Sequence, residues 1–158
     1  MRKTFARLTR EALRQSQDTY LLVGDLGFGL FNDFKQEFPN QYFNVGSAEQ
    51  LLVGMGIGLT QSDKIAVCYS ISPFVLYRPF ELIRNYLYHE GAPVKLVGSG
   101  RNRDYGHDGF SHWAEEDELV FRAFPNIVIY KPETTEQLES IFPEFLLSKV
   151  PSYLNLQK

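Results

Sequence analysis

The sequence predicts an α/β protein, a three-layer, doubly wound and mainly parallel sheet with helices on both of its faces. Short continuous apolar runs, typical of buried parallel strands, alternate along the chain with segments of helical periodicity. Strands that alternate with helices favour a parallel sheet, because each crossover helix returns the chain to the same end of the sheet. The length of 158 residues fits one domain, 1–158, with room for a sizeable core.

The composition is that of an ordinary globular domain with a surplus of aromatic residues. Apolar residues make up 44%, charged residues 22% and aromatic residues 15% of the chain. The formal net charge of -3 provides no basic field of the kind that nucleic-acid-binding domains carry. No apolar run approaches the roughly 20 residues that a membrane span requires. These properties indicate a globular domain that binds neither nucleic acid nor membrane.

The single cysteine and the basic start of the chain bear on location. Cys68 excludes an intramolecular disulfide and is compatible with a reducing cytosol, so we expect a cytoplasmic protein. Residues 1–14 are basic and amphipathic, faintly like a transit peptide. We interpret them as an ordinary first helix, because Phe5, Leu8, Ala12 and Leu13 would share one face.

The first half of the chain predicts helices and strands in strict alternation. Residues 4–17 have helical periodicity, and residues 20–24 are a buried strand that a glycine-containing turn at 24–27 closes. The elements that follow are a helix at 30–38, a strand at 42–45, a helix at 47–61 and a strand at 64–71.

The helix at 47–61 has two unusual features. Ser47 and Gln50 have the spacing of a capping box. Gly54, Gly56 and Gly58 lie inside the helix, where each costs about 1 kcal/mol relative to alanine, so we expect another backbone to approach closely. A dinucleotide-binding motif is rejected, because these glycines are not at a strand-to-helix turn.

The second half continues the alternation after a break at Ser72 and Pro73. Amphipathic periodicity predicts a helix over residues 74–89, and an acidic start predicts another at 114–124. The remaining elements are a strand at 94–98, a polar glycine-rich loop at 99–111, a strand at 127–130, and a last helix opening at Pro132 with a kink or break at Pro143.

Four loops with unusual residues leave the predicted strand ends, and ligands of such sheets bind at the carboxyl ends of the strands. These loops are residues 24–27, 46–49, 70–74 and 98–112. Together they resemble the pyrimidine-binding (middle) domain of the transketolase family, which includes 1-deoxyxylulose-5-phosphate synthase. The resemblance covers residues 21–132. Its pieces, which occur in family order, are 24–26, 43–50, the glycine-rich helix that follows, 69–78, 108–112, 116–117 and 124–126.

The resemblance implies a fold of the thiamine diphosphate-binding, pyrimidine-domain type, with Glu49 as a catalytic and cofactor-binding residue. Glu49 matches the family's glutamate that contacts N1′ of the aminopyrimidine and favours the imino tautomer, whose 4′-nitrogen removes the thiazolium C2 proton. A carboxyl in an apolar site can share a proton with a weakly basic ring nitrogen. The alternative interpretation is an acid that the dipole favours at a helix start.

Four more cofactor-binding residues follow from the resemblance. Phe74 and Tyr77 match aromatic residues that stack on the aminopyrimidine, although both could instead be core residues of an amphipathic helix. Ile71 stands where larger members have phenylalanine, which implies a reshaped pocket. Asp25 matches a residue near the cofactor at the subunit contact, and a turn-capping aspartate is the alternative.

The substrate-binding residues come from the polar loop. Asp108 and His112 match residues that line the substrate channel, and His112 is also a catalytic candidate. The alternative interpretation is a solvated loop without a binding role. Arg101 and Arg103 could bind a phosphate or an acidic sugar, or be exposed. A metal site at His107, Asp108 and His112 is disfavoured, because their spacing is not helical and no cysteine is near.

Two departures from the family pattern bear on the substrate. Trp113 replaces the glutamine or histidine that usually follows the histidine matched by His112, and Gly100 falls where transketolases carry an additional histidine. Both departures weigh against the standard sugar-phosphate substrates of the family. We therefore expect a related compound, a sugar or a sugar-phosphate-like substrate.

The family's other cofactor half carries Gly-Asp-Gly and a downstream asparagine, and this chain has no Gly-Asp-Gly. The near match at 107–109 belongs to the substrate loop. We therefore expect the diphosphate-binding domain to be a partner subunit that holds Mg²⁺ and shares thiamine diphosphate with this chain, in two copies of each chain. The family's carboxy-terminal domain is also expected to be absent, because only a short tail follows Pro132.

These implications predict a transketolase-like transferase subunit that moves a two-carbon ketol or related unit and is inactive without its partner. One alternative is a non-catalytic relic that binds or regulates a complete transketolase-like protein. Another, an unrelated α/β nucleotide-binding module, is disfavoured by the lack of a phosphate loop.

Overall fold

The computed structural model describes residues 1–158 and contains one sheet of six parallel strands. The strands are β1 (Thr19–Val23), β2 (Tyr42–Asn44), β3 (Ile65–Ile71), β4 (Lys95–Ser99), β5 (Val128–Tyr130) and β6 (Ser152–Leu156). Their order across the sheet is β2-β1-β3-β4-β6-β5, and every neighbouring pair is parallel. The predicted mainly parallel sheet is confirmed.

Helices cover both faces of this sheet. They are α1 (Arg2–Gln15), α2 (Phe34–Glu37), α3 (Glu49–Thr60), α4 (Ser72–Tyr77), α5 (Phe80–Leu82), α6 (Asp117–Phe121) and α7 (Thr135–Leu147). A π-helical segment, Ile83–His89, continues α5, and two 3-10 turns, Gly106–Asp108 and Phe110–His112, shape the loop after β4. None of these helices has the length and apolarity that crossing a membrane demands.

Each face of the sheet has its own apolar core, which confirms the three layers. On one face α1 and α7 pack against the sheet, and Phe5 stacks on Tyr69 with ring centroids 5.7 Å apart. On the other face α3, α4 and the π-helical segment pack against the sheet, and Phe121 stacks on Tyr153 at 4.3 Å. Part of the aromatic surplus therefore fills both cores, whereas other aromatic side chains remain exposed.

Strand β6 was not predicted, and the expectation that only a short tail follows Pro132 was wrong, because α7 and β6 both lie beyond it. All five residues of β6 are buried between β4 and β5. Ser152 and Asn155 interrupt its apolar pattern, so the segment lacks the continuous run by which the other strands were recognised. The fold consequently extends well beyond residue 132, where the predicted resemblance ends.

Two helices differ from prediction because local turns or proline intervene. The helix predicted at 30–38 is reduced to α2, because Gly27 and Gly29 have positive φ and the Gly29 amide donates to Asn32 Oδ1 at 2.9 Å. The helix predicted at 74–89 begins at Ser72, and proline is tolerated in its first turn. Pro79 then separates α4 from α5.

The two remaining predicted helices also differ from the structure. The helix predicted at 114–124 is the shorter α6, because Ala114 pairs with Asn102 in an isolated antiparallel bridge. Pro143 does not end α7, which continues to Leu147.

The start and the glycines of α3 do not match the expected capping and packing. Ala48 is the N-cap and no side chain caps the helix, so the capping box at Ser47 does not form. A Cβ atom on Gly56 would lie 2.7 Å from Cys68 Sγ, so this glycine meets a sheet side chain and not another backbone. A Cβ on Gly58 would have no neighbour within 4 Å.

Candidate functional site

The carboxyl ends of the strands form the edge at which the candidate site lies. Because all strands are parallel, the loops after β1, β2, β3 and β4 leave the sheet at this edge, as predicted. The chain passes from β1 outward to β2 and then back across β1 to β3. The boundary between β1 and β3 is therefore the topological switch point, where α/β sheets bind their ligands.

Glu49 lies at this switch point as the first residue of α3, and only 1% of its side chain is exposed. Ser70 Oγ, near the end of β3, donates to Glu49 Oε1 at 2.8 Å. Arg78 Nη1 donates to Glu49 Oε2 at 2.6 Å. Both oxygens of this buried carboxyl therefore have partners, as burial of a charged group requires.

Gly24, directly after β1, provides the space for the Glu49 carboxyl. A Cβ atom at this position would lie 3.1 Å from Ser70 Oγ and 3.2 Å from Glu49 Oε1. The absence of a side chain at residue 24 thus lets the carboxyl and its serine donor approach the end of β1.

Phe74 lies on α4 beside the ion pair between Glu49 and Arg78. The guanidinium carbon of Arg78 is 3.7 Å from the centroid of the Phe74 ring, a short cation–π contact. Phe74 and Arg78 are four residues apart, so they share a helical face. His112 meets Phe74 edge-on, with ring centroids 4.9 Å apart. Phe74 therefore connects Glu49, through Arg78, to His112 of the loop after β4.

Tyr77 and Ile71, the other candidates near α4, have different surroundings. Tyr77 is partly exposed, and its hydroxyl donates to Glu116 Oε1 at 2.8 Å. Partial burial and this hydrogen bond raise the pKa of Tyr77 well above its usual value. Ile71 is buried at the end of β3. Neither side chain forms a hydrogen bond or an ion pair with Glu49, and both remain predictions as cofactor contacts.

Asp25 is held by the end of the neighbouring strand β2. Its backbone is left-handed, with φ of 54°, a conformation that aspartate adopts more readily than most residues. Its amide donates to Asn44 Oδ1, and Asn44 Nδ2 donates to Asp25 Oδ1, both at 3.2 Å. Asp25 thus has the turn-forming role that was its alternative interpretation, and a cofactor contact remains a prediction.

Asp108 and His112 lie on the two 3-10 turns of the loop after β4. Asp108 is exposed, and its Oδ2 is 3.2 Å from His107 Nε2. His112 is partly buried, and its Nδ1 is 3.0 Å from Ser111 Oγ. Among residues 1–158 no group of three or more His, Cys, Asp and Glu side chains is arranged to hold a metal ion.

The two arginines of this loop have different environments. Arg101 is 4% exposed, donates to Asn155 Oδ1 at 2.6 Å and to the Pro132 carbonyl at 2.8 Å, and pairs with Glu133 at 3.0 Å. Its guanidinium ties the loop to β6, so we do not retain Arg101 among the proposed substrate residues. Arg103 is exposed, lies 4.3 Å above the Trp113 ring and pairs with Glu115 at 2.9 Å.

A buried polar cluster lies where α6, which follows this loop, meets β6. Asp117 Oδ2 accepts a hydrogen bond from the Tyr153 hydroxyl at 2.6 Å, and Asn155 Nδ2 donates to the same oxygen. Burial raises the pKa of Asp117, although these donors and the Glu118 amide act in the opposite direction. The cluster joins β6 to α6, the helix that follows the loop carrying His112.

Sequence reasoning missed the two residues that contact Glu49. Arg78 had a detectable signal, because it lies four residues after Phe74 on the same predicted helix. Ser70 had none, because a serine at the end of an apolar strand is common and its partner is distant in sequence.

Comparison with known proteins gives a family for this arrangement. The family described as "Transketolase, pyrimidine binding domain" matches residues 1–158. The chain is 32% identical over 159 residues to a putative transketolase C-terminal section from Methanocaldococcus jannaschii, covering 100% of this chain and 50% of that protein. It is 28% identical over 157 residues to a 6-deoxy-6-sulfo-D-fructose transketolase subunit from Clostridium sp., covering 99% and 49%.

Solved structures show the same fold. A split-gene transketolase, described as an inactive beta4 tetramer, superposes with a TM-score of 0.85 at 28% identity, covering 99% of this chain and 50% of that one. Transketolase from Leishmania mexicana superposes with a TM-score of 0.88 at 19% identity, covering 99% and 25%. The chain spans about half the length of these two curated relatives. Because this family matches residues 1–158, the chain belongs to the transketolase family as a pyrimidine-binding domain.

Proposed function

We propose that this chain supplies the pyrimidine half of a thiamine diphosphate-dependent, transketolase-like enzyme, and that Glu49 activates the cofactor. The observation that carries the proposal is the buried Glu49 carboxyl at the switch point, beside the ring of Phe74 and the Arg78 guanidinium. When bound, thiamine diphosphate supplies the nucleophilic carbon and the electron sink for transfer of a two-carbon ketol or related unit.

The residues present fit the aminopyrimidine end of that cofactor. A weakly basic ring nitrogen needs a carboxyl in a site that largely excludes water, and Glu49 is such a carboxyl. Phe74 offers an aromatic face next to it, on which a flat heterocycle could stack. Ile71, Tyr77 and Asp25 are the further cofactor contacts that we propose at this edge.

Exposed aromatic residues and the relatives' descriptions support an interface with a partner at the same edge. Phe28 follows β1 and is 86% exposed, and Phe110 follows β4 and is 84% exposed. Large exposed apolar side chains indicate interaction surfaces. Relatives are described as transketolase subunits. We propose that a partner carries the diphosphate and Mg²⁺ site, and that the assembly contains two copies of each chain.

The substrate that we propose is a sugar or a sugar-phosphate-like compound. One relative is described as a 6-deoxy-6-sulfo-D-fructose transketolase subunit, and another, from Actinobacillus succinogenes and 33% identical over 123 residues, as an apulose-4-phosphate transketolase subunit. Asp108 and His112 line the proposed channel, and His112 is held beside Phe74. Arg103 remains exposed for an anionic group.

Glu49→Gln tests the proposed role, because the amide keeps the shape of the carboxyl but cannot share a proton with a ring nitrogen. In the complex with the diphosphate-binding partner, we expect turnover to fall by at least about 100-fold, the usual contribution of acid–base catalysis. Assembly, measured by size-exclusion chromatography, should be unchanged. Glu90→Gln, which alters an exposed carboxyl far along the chain, is the matched control. Full activity in Glu49→Gln would refute the role.

A further inference from the structure

Arg78 makes two contacts that the proposed function assigns to the aminopyrimidine of the cofactor. Its Nη1 lies 2.6 Å from Glu49 Oε2, the buried carboxyl that is proposed to meet the ring nitrogen. Its guanidinium carbon lies 3.7 Å from the centroid of Phe74, the ring that is proposed to stack on the pyrimidine. One flat cationic group therefore covers both the carboxyl and the aromatic face.

The chemistry of the guanidinium explains why it suits this place. Like an aminopyrimidine, it is planar, donates hydrogen bonds in its plane and stacks on an aromatic ring. It differs because arginine does not give up a proton in proteins. Contact with Arg78 therefore occupies Glu49 Oε2 without offering the shared proton that cofactor activation needs.

Glu49 and Arg78 differ in how tightly the protein holds their side chains. The Glu49 side chain is 1% exposed and is also held by Ser70, whereas 43% of the Arg78 side chain is exposed. A partly exposed arginine has a long, rotatable stem and can move into solvent. Displacement of Arg78, and not of Glu49, is thus the movement that would open the site.

We propose that Arg78 is a positioning residue that fills the aminopyrimidine site of the empty chain, holds Glu49 in place and must be displaced when the cofactor binds. This inference rests on the proposed function. It predicts that the cofactor competes with Arg78. The affinity for thiamine diphosphate is therefore lower than it would be if the Arg78 side chain did not occupy the site.

Removal of the competing group should therefore tighten binding. For Arg78→Ala in the assembled complex, titrated with thiamine diphosphate and Mg²⁺ and followed by circular dichroism, we expect the Kd to fall roughly tenfold, which corresponds to loss of one partly exposed ion pair and one cation–π contact. Arg78→Lys keeps the charge but loses the flat stacking group, so its Kd should lie between those of the wild type and Arg78→Ala. Arg84→Ala, which removes an exposed arginine bonded only to Asn85, should leave the Kd unchanged.

The outcomes separate this inference from the proposed function. An unchanged or higher Kd in a folded Arg78→Ala variant would overturn the inference and leave the function of Glu49 intact. Absence of thiamine diphosphate binding in the wild type and in every variant would refute the proposed function, and the inference with it. If Arg78→Ala fails to fold because Glu49 loses its partner, Arg78→Lys decides, since a Kd equal to that of the wild type would contradict the competition.

Discussion

A single methyl group at Gly24 tests how closely the Glu49 carboxyl is held. In Gly24→Ala the new Cβ would lie 3.1 Å from Ser70 Oγ and 3.2 Å from Glu49 Oε1, so the pair must shift by a few tenths of an ångström. Because catalysis depends on the position of the reacting groups, we expect turnover of the assembled enzyme to fall roughly tenfold. The thermal midpoint of the chain should change by only a few degrees, roughly the effect of 1 kcal/mol.

Gly106→Ala is the matched control for Gly24→Ala. Gly106 lies at the same edge of the sheet, and a Cβ atom there would have no neighbour within 4 Å. Turnover should be unchanged in this variant. Wild-type turnover in Gly24→Ala would show that the carboxyl tolerates displacement, contrary to the proposed contact with a ring nitrogen.

Lys95 predicts a pH-dependent stability that is separate from the site. It is 1% exposed, and its Nζ donates at 2.7 Å to the Ser148 carbonyl, Ser148 Oγ and the Val150 carbonyl. Burial, with a smaller effect of the nearby Lys149 charge, lowers the pKa of Lys95 from 10.5 to about 8. Between these two values the unfolded chain binds a proton that the folded chain lacks, so the free energy of unfolding rises with pH.

Comparison with Lys95→Met isolates this effect. From pH 8 to pH 10.5, the stability of the wild type relative to the variant should increase by up to about 3 kcal/mol, an upper limit because the three oxygen acceptors favour the ammonium. Urea unfolding at several pH values measures it. A stability difference that stays constant across this pH range, or that declines as pH rises, would contradict the lowered pKa.

Helix α3 contains glycines with opposite expected effects on stability. A Cβ on Gly56 would lie 2.7 Å from Cys68 Sγ and 3.2 Å from Val94 Cγ1, so Gly56→Ala should destabilise the chain by about 1–3 kcal/mol through overpacking. A Cβ on Gly58 would meet nothing within 4 Å, so Gly58→Ala should stabilise the chain by roughly 0.5–1 kcal/mol.

Denaturant unfolding of the two glycine variants checks this difference. The double variant Gly56→Ala with Cys68→Ala should recover much of the loss if Sγ is the obstacle, a coupling that a double-mutant cycle detects. Equal effects of Gly56→Ala and Gly58→Ala would contradict the packing of α3 on β3.

The elements show which parts of the fold could be predicted from sequence. Continuous apolar runs at β1, β3 and β4 gave the correct strands within a residue or two, because both faces of a parallel sheet are buried. Strand β6 could not be recognised from the sequence, because it contains the polar residue Asn155, which is typical of loops. In the structure Asn155 is buried and donates to Asp117. Proline did not predict helix ends reliably, since Pro79 separates two helices whereas Pro143 lies inside α7.

The candidate site was predictable only where a motif carried it. Glu49 and His112 were found from the resemblance, whereas Ser70 and Arg78 owe their position to contacts across 21 and 29 residues that no local pattern records. Arg101 illustrates the opposite error. A cation in a polar loop suggests ligand binding, but the loop folds back so that its guanidinium lies buried against β6.

For the whole molecule, the arrangement of the site at one edge supports an assembly in which another surface completes it. Glu49 and Phe74 offer contacts suited to the pyrimidine end of the cofactor, and exposed Phe28 and Phe110 flank the same edge. The chain matches about half of a split transketolase subunit. These features agree with the proposal that the cofactor lies between this domain and a diphosphate-binding partner.

The exchange of the thiazolium C2 proton of thiamine diphosphate for deuterium tests the central claim most directly, because it reports cofactor activation without substrate. Quenched-flow NMR would measure it for this chain alone, its partner alone, the assembled pair, and the pair with Glu49→Gln or Glu90→Gln. We expect fast exchange only in the assembled wild type and the Glu90→Gln control, and exchange slowed by at least about 100-fold in Glu49→Gln with the cofactor bound. Exchange in bound Glu49→Gln as fast as in the wild type would contradict the account.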